Sequence, residues 1–216
     1  MWLADAPVLT GARRTIEALI RDQSGDNWNK MRKGKVTSTK VGPICQRKDW
    51  LKIRDEIINP LDLSHISYVA RGKQDEEKGV NYLLDSLKEQ GFEARAYLIG
   101  LVLHPEYEWL AASPDRLAKV GDDWCLVEVK NWYVTDRQKG IRDLRYLDRN
   151  GRLRHTHNHY YQIQTALLVS RMKCCYFVVH GEESWIEVIE FDLEFCLKLV
   201  EKAKLFYETM LKPMGF

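Results

Sequence analysis

The chain has 216 residues, 45% of them hydrophobic, and its 33 lysines and arginines against 31 acidic residues leave a net charge of +2. This length and composition predict one globular domain with a substantial core, and no apolar run approaches the roughly 20 residues of a membrane span, so we expect no membrane partner. The N-terminus lacks the pattern of a secretory signal, and five cysteines without C-x-x-C spacing favour buried thiols over a disulfide framework or a zinc site. We therefore expect an intracellular protein, cytoplasmic or nuclear depending on its host.

Helices dominate the first 90 residues of the predicted structure. The apolar spacing predicts an amphipathic helix over 10–22, a helix near 42–58 that Asn59-Pro60 closes, and a longer helix over 71–90. Gly91 directly after the third helix is a suitable residue for a helix C-terminus.

Strands dominate the predicted middle of the chain, and further helices follow them. Strands are predicted over 92–103, 109–120 and 124–132. A charged loop with one possible helical turn over 135–155, a helix over 159–172, strands over 174–180 and 185–191, and a last helix over 193–211 follow. This order predicts an α/β (α+β) fold with a mixed central sheet that helices flank on both faces.

Two acidic residues and a lysine lie around a predicted hairpin. Asp115 follows an apolar run, and Glu128 and Lys130 alternate with apolar residues in the next strand. Positions two apart in a strand share a face, so Glu128 and Lys130 point the same way. A turn through residues 121–123 brings Asp115 beside them.

These residue types suit a divalent-metal centre that hydrolyses phosphodiesters. Such hydrolysis needs a cation that polarises the phosphate and lowers the pKa of a water. Mg²⁺ prefers carboxylate and carbonyl oxygens, which Asp115, Glu128 and the Val129 main chain supply. Lys130 is placed to hold the attacking water and to neutralise developing charge. The alternative is a surface hairpin that carries an ordinary Asp, Glu and Lys.

Basic residues are concentrated in two blocks on either side of these carboxylates. Residues 28–54 contain nine lysines and arginines against one acid, and residues 137–154 contain seven against two. Two such blocks around a metal site suit a polyanion such as nucleic acid. Solvated charged surfaces are the alternative explanation for each block.

Four segments, in order along the chain, resemble a known family. They are similar to the motifs of the lambda-exonuclease/YqaJ-type viral recombinase family, which includes alkaline exonuclease-like proteins, within the PD-(D/E)xK nuclease superfamily. The segments are Trp28-Asn29-Lys30-Met31-Arg32 with Lys35-Val36-Thr37-Ser38-Thr39, Gly72-Lys73-Gln74-Asp75-Glu76, His104-Pro105-Glu106 through Ser113-Pro114-Asp115 followed by Glu128-Val129-Lys130, and Tyr161-Gln162-Ile163-Gln164.

The resemblance implies a restriction-endonuclease-like core and a role for each matching residue. Asp115, Glu128 and the Val129 carbonyl would bind Mg²⁺, or Mn²⁺ in its place. Lys130 would position the nucleophile. Glu76 would orient a metal-bound water, and Gln162 would support the site. Arg32, with Thr39 and Ser38, would bind a terminal 5′-phosphate. One departure from the family is Arg116, which stands where the family usually has glycine.

The resemblance also implies a function and an organisation. We expect a Mg²⁺-dependent 5′→3′ exonuclease that acts on 5′-phosphorylated ends of double-stranded DNA and leaves 3′ single-stranded tails for recombination or end processing. A homotrimer and a single-strand annealing protein are the expected assembly and partner. One nuclease domain over 1–216 would comprise a helical part with the 5′-phosphate pocket (1–60), the catalytic core (61–191) and a C-terminal helix (192–216). The alternatives are an endonuclease, an RNA-degrading nuclease with the same centre, or a non-catalytic DNA-binding recombination adaptor.

Overall fold

A computed structural model describes Gln23 and residues 25–60, 67–135 and 140–216 of the chain. The helix predicted over 10–22 lies outside these residues. The described residues contain six α-helices: α1 Gly25–Arg32, α2 Ser38–Gln46, α3 Leu51–Ile58, α4 Ser67–Glu89, α5 Asn158–Ser170 and α6 Leu193–Phe206. The strands are β1 Val36–Thr37, β2 Ala94–Tyr97, β3 Val102–Leu103, β4 Leu110–Ala112, β5 Arg116–Val120, β6 Asp123–Asn131, β7 Cys174–His180 and β8 Trp185–Glu190.

The strands form one large and one small sheet. The large sheet has the order β2-β5-β6-β7-β8, in which only the β6–β7 pair is parallel, so the sheet is mixed. The small sheet has the order β1-β4-β3, and β1 pairs with β4 in parallel. The small sheet was not predicted, because strands of two or three residues carry too few positions to show an alternating pattern.

Two apolar clusters cover opposite faces of the large sheet. Successive strand residues point to opposite faces, so Leu126 and its neighbour Val127 belong to different clusters. Helix α4 covers one face through Val80, Leu83 and Leu87, which share a cluster with Ala118, Val127, Val129 and Val178. Helices α2, α3, α5 and α6 cover the other face through Ile44, Ile53, Ile163, Leu167, Leu199 and Phe206, which share a cluster with Leu117, Leu126 and Phe177. The predicted mixed α/β fold with helices on both faces is confirmed.

Several predicted elements are divided in the structure. The helix predicted over 42–58 is two helices, α2 and α3, with residues 47–50 between them. The strand predicted over 109–120 is interrupted at 113–115, where Pro114 has no N–H for a sheet hydrogen bond. As a result β4 joins the small sheet and β5 joins the large sheet. Asp115 lies in the segment that connects the two sheets. The strand predicted over 92–103 is likewise divided into β2 and β3.

Other boundaries agree closely with the predictions. Helix α4 ends at Glu89, and Gly91 has a positive φ of 86°, as expected for a glycine at a helix C-terminus. Strand β7 covers the predicted residues, and the last helix ends as α6 at Phe206 before a π-helical turn over Tyr207–Leu211. No helix in the described parts of the chain combines the length and the apolar character that a membrane crossing requires.

Candidate active site

Asp115 is anchored to the main chain of strand β6. Its Oδ2 accepts a hydrogen bond of 2.7 Å from the N–H of Val129. The pairing of β5 with β6 ends at Arg116 and Val127, so the next residues of β6 have no partner strand on that side. Because the N–H and C=O of one strand residue point to the same edge, the Val129 carbonyl also faces Asp115.

Glu128 and Lys130 lie on the face of β6 that helix α5 covers. Glu128 is only 2% exposed, and its Oε1 accepts hydrogen bonds from the Lys130 ammonium and from Nε2 of Gln162. Since α5 packs against this face through Ile163 and Leu167, Gln162 reaches the carboxylate from above the strand. The predicted hairpin therefore brings Asp115, Glu128 and Lys130 together, and Gln162 joins them from a helix.

Glu76 approaches from the opposite face on helix α4. Gly79 allows this approach, because a Cβ there would lie 2.5 Å from Cγ1 of Val129. The Glu76 carboxylate accepts a hydrogen bond from Nη1 of Arg116, the residue after Asp115. We call Asp115, Glu128 and Lys130 the centre. Glu76 lies near this centre, but its direct hydrogen-bond partner is the Arg116 guanidinium.

Crowding of acids shifts the pKa values of the centre. Burial, together with the charge of Asp115, raises the pKa of Glu128 to about 7, against the opposing effect of Lys130. Burial also raises the pKa of Asp115, which the Lys130 charge and the Val129 N–H partly offset. For Lys130, burial lowers the pKa, but the charges of Glu128 and Asp115 outweigh it and raise the pKa above its usual value. Carboxylates that repel one another in this way favour a bound cation.

The donor set of this centre fits magnesium. Asp115, Glu128 and the Val129 carbonyl offer hard oxygen ligands along one edge of β6. In the described residues no group of three or more His, Cys, Asp or Glu side chains is arranged to hold a metal ion. Mg²⁺ is usually held by one or two carboxylates and keeps several waters, so two carboxylates with one carbonyl suit it.

The residues predicted for a 5′-phosphate pocket lie beside the small sheet. Nη1 of Arg32, at the end of α1, donates to Oγ of Ser113 at 3.3 Å, and its guanidinium lies 4.8 Å from the centre of the Trp28 ring. Parallel pairing of β1 with β4 places the start of α2 next to the strand that leads to Ser113. Arg32 therefore contacts Ser113, which precedes Asp115 by two residues along the chain.

The two predicted hydroxyl groups of this pocket differ in exposure. Ser38 is 3% exposed, whereas Thr39 is exposed. The Thr39 Oγ1 lies 3.2 Å from Oγ1 of Thr37, a hydrogen-bonding distance. Thr39 is consequently open to a ligand, and Ser38 is largely covered by the protein.

Two residues near Lys130 were not predicted. The charge of Lys130 acts on His159, whose pKa is lowered to about 3, chiefly by burial. The ring of Tyr146 packs edge-on against His159 with 5.1 Å between ring centres. Tyr146 lies in a segment whose sequence predicts a charged loop with one possible helical turn, and His159 is the last of three alternating histidines, His155, His157 and His159. Only their position in the folded chain brings them to the centre.

The fold and the site define the class of this protein. Its mixed sheet, with acidic residues and a lysine at the ends of β5 and β6, is the PD-(D/E)xK nuclease type of fold. A family model described as the YqaJ-like viral recombinase domain matches residues 27–173, more than half of the chain. The chain therefore belongs to the YqaJ-like viral recombinase family, as predicted.

Solved structures with similar folds are alkaline exonucleases and related nucleic-acid complexes. The alkaline exonuclease LHK-Exo from Laribacter hongkongensis is 20% identical, with a TM-score of 0.67 over 88% of this chain and 96% of that one. Its complex with dAMP gives a TM-score of 0.68 at the same identity and coverage. A SOX–DNA complex is 10% identical, with a TM-score of 0.62 over 90% of this chain and 69% of that one. Comparison with curated proteins gives no match.

Proposed function

We propose that this chain is a Mg²⁺-dependent exonuclease that degrades one strand of duplex DNA in the 5′→3′ direction. It would begin at 5′-phosphorylated ends and leave 3′ single-stranded tails for recombination or end processing. The observation that carries the proposal is the joining of Asp115, through the Val129 N–H, to the strand that presents Glu128 and Lys130. Membership of the YqaJ-like family and the alkaline exonuclease fold support it.

Each residue of the centre has a role in this proposal. Asp115, Glu128 and the Val129 carbonyl would hold Mg²⁺, with Mn²⁺ as an alternative. The bound ion supplies the charge that polarises the phosphodiester and lowers the pKa of a water. Lys130, charged and held by Glu128, positions the attacking water and offsets the negative charge that develops on the phosphate.

The supporting residues keep this centre in place. Gln162 fixes the Glu128 carboxylate through its amide hydrogen bond, so the carboxylate does not swing away from the edge of β6. Glu76 lies close enough for its charge to act on Glu128, and it is positioned to orient water at the centre. Both residues act through their neighbours.

End recognition would take place at Arg32 and Thr39. Arg32 would supply a charged donor, and Thr39 would supply an exposed hydroxyl at the positive end of helix α2; both groups suit a terminal phosphate. The Arg32–Ser113 hydrogen bond connects this pocket to the segment that carries Asp115. Buried Ser38 would support the shape of the pocket. A 5′-terminal phosphate held here would place a bond near the 5′ end at the metal centre.

The assembly and location of the chain are also proposals. A homotrimer around DNA would make digestion processive, and a single-strand annealing protein would receive the tails. Light scattering on the purified protein measures the first, and co-purification with a candidate annealing protein measures the second. We also propose an intracellular location, cytoplasmic or nuclear depending on the host.

Timed digestion of labelled duplexes tests the proposed activity. Linear DNA with 5′-phosphate ends should be degraded in Mg²⁺ and not in Ca²⁺, whereas 5′-hydroxyl ends should be degraded more slowly. Asp115→Ala should remove the activity without altering the circular dichroism spectrum. Cleavage of closed circular DNA would instead support an endonuclease, and preferential cleavage of RNA would support an RNA-degrading enzyme. Binding of DNA without metal-dependent cleavage would support the adaptor alternative.

A further inference from the structure

Arg116 places a second cation inside the acidic centre. Its side chain is only 11% exposed, and its Nη1 donates both to Glu76 and to the Asp115 carbonyl, at 2.6 Å in the second case. Its Nη2 donates to Oε2 of Glu77 at 2.7 Å. One guanidinium therefore connects two acids of α4 to the main chain at Asp115.

The direction of the Arg116 side chain follows from its place in β5. Residues two apart in a strand share a face, and Ala118 packs in the cluster beneath α4. Arg116 must then point towards α4 as well, away from Gln162 and the α5 side. Helix α4 lies close to the sheet at Gly79, so its acids at 76 and 77 meet the guanidinium directly.

This arrangement leaves the carboxylates of the centre with unequal access to a metal. Asp115 is held by the Val129 main chain, and the cationic partner of Glu128 is Lys130, which contacts the single carboxylate oxygen Oε1. The cationic partner of Glu76 is Arg116, which also holds Glu77 and the Asp115 carbonyl. A divalent ion bound to Glu76 would have to displace the guanidinium or lie next to it, where like charges repel. The planar fork of Arg116 also bonds to three oxygen-bearing groups at once, which makes displacement costly.

We propose that Arg116 is a built-in cation that holds Glu76 out of the metal coordination sphere, so that the centre binds one divalent ion through Asp115, Glu128 and the Val129 carbonyl. This inference rests on the proposed nuclease function. Arg116 acts as a positioning residue: it fixes Glu76 and supplies positive charge that a second metal ion would otherwise bring. Replacing it with glycine should release Glu76 and open a second ion site.

Counting bound Mn²⁺ ions tests this inference without measuring activity. Titration of the metal-free protein, followed by calorimetry and by the electron paramagnetic resonance signal of free Mn²⁺, gives the number of ions. We expect one ion for the wild type and for Glu76→Gln, with affinities that differ by less than about tenfold, the low end of losses for indirect partners of a metal. We expect two ions for Arg116→Gly and one for the Glu76→Gln/Arg116→Gly double variant. Arg116→Lys should keep a single ion.

Glu77→Gln is the matched control, because Glu77 also bonds to Arg116 but is 58% exposed. It should not change the number of ions in either background. Two ions in the wild type, or loss of an ion in Glu76→Gln, would overturn the inference even if Arg116→Gly does not fold. A folded Arg116→Gly protein that binds one ion or none would also overturn it.

Digestion of linear duplex by the same wild-type preparation separates this inference from the proposed function. One bound ion without any digestion would refute the nuclease function and leave the assignment of Arg116 standing. Digestion with two bound ions would support the nuclease function and refute the assignment of Arg116. Failure to bind any Mn²⁺ would refute both.

Discussion

The proposed metal centre and the proposed 5′-phosphate pocket are built in different ways. In the proposed metal centre, Glu128 and Lys130 stand on the long strand β6 of the large sheet, and Asp115 is hydrogen-bonded to the main chain of that strand. In the pocket, Arg32 and Thr39 stand on short elements around the small sheet, and one hydrogen bond of 3.3 Å joins Arg32 to Ser113. In the proposed function, the chemistry would therefore depend on the large sheet, and end recognition would depend on short elements around the small sheet. The two should therefore be separable by mutation.

Loss of Lys130 should abolish cleavage of every substrate. Lys130→Ala removes the cation that holds the attacking water and leaves Glu128 without its ion pair. We expect the rate of cleavage to fall by about 1000-fold or more, the scale of losing one preorganised charge-stabilising group. The rate should fall equally for 5′-phosphate and 5′-hydroxyl ends.

Initial rates on end-labelled duplexes of both kinds measure this effect. Lys88→Ala is a suitable control, since Lys88 is exposed in the last turn of α4. A Lys130→Ala protein that retains its fold and a rate near that of the wild type would refute the role of Lys130.

Loss of Arg32 should change the choice of ends and leave the chemistry intact. Arg32→Ala should slow digestion of 5′-phosphorylated ends by about 100-fold, the value of a charge-assisted pair of hydrogen bonds. Digestion of 5′-hydroxyl ends should hardly change, so the ratio of the two rates should approach one. Mn²⁺ affinity should equal that of the wild type, because Arg32 contacts no residue of the metal set.

Arg47→Ala provides the matched control for Arg32, because Arg47 is an exposed member of the same basic block. It should preserve the ratio of the two rates. If Arg32→Ala lowers both rates equally, Arg32 supports DNA binding in general and does not recognise the phosphate.

The sequence predicts much of the metal centre and little of its surroundings. Asp115, Glu128 and Lys130 could be placed together because strand alternation and a tight turn are local rules. The contact of Arg116 with Glu76 joins residues 40 positions apart and depends on how closely α4 approaches the sheet. No local pattern specifies that distance. His159 next to Lys130 was missed for the same reason.

The sequence was also less informative about the scaffold of the pocket. The strand predicted over 109–120 is two strands of different sheets, and the polar segment Ser113–Asp115 with its proline is the sequence signal for the break that the prediction did not use. Strand β1 has only two residues and is recognisable only by its pairing with β4. Sites on long strands are therefore easier to predict than sites on short ones, which matches the contrast between the two regions.

Acid should weaken metal binding at the proposed metal centre. Burial raises the pKa of Glu128 to about 7, so the metal-free protein holds a proton there below this pH. A metal ion must displace that proton, and its affinity should therefore rise with pH up to about 7 and level off above it. Between pH 8 and pH 6 we expect the apparent Mn²⁺ affinity to fall by about tenfold.

Calorimetric titrations at pH 6, 7 and 8 in buffers of different ionisation enthalpy measure both the affinity and the protons released. Close to one proton should be released per ion at pH 6 and almost none at pH 8. An affinity that does not vary over this range would show that Glu128 is already ionised or does not bind the ion.

The smallest effect should distinguish the two hydroxyl groups within the pocket. Thr39→Ala should lower the preference for 5′-phosphate ends by about fivefold, the value of one hydrogen bond to an anion, because Thr39 is exposed at the start of α2. Ser38→Ala should leave the preference unchanged and act, if at all, on the melting temperature, because Ser38 is 3% exposed. Measured ratios of rates for the two kinds of end decide between the two residues. An effect of Ser38→Ala larger than that of Thr39→Ala would mean that the pocket opens on binding DNA, and the short elements around it would then have to move while the strands of the metal centre stay fixed.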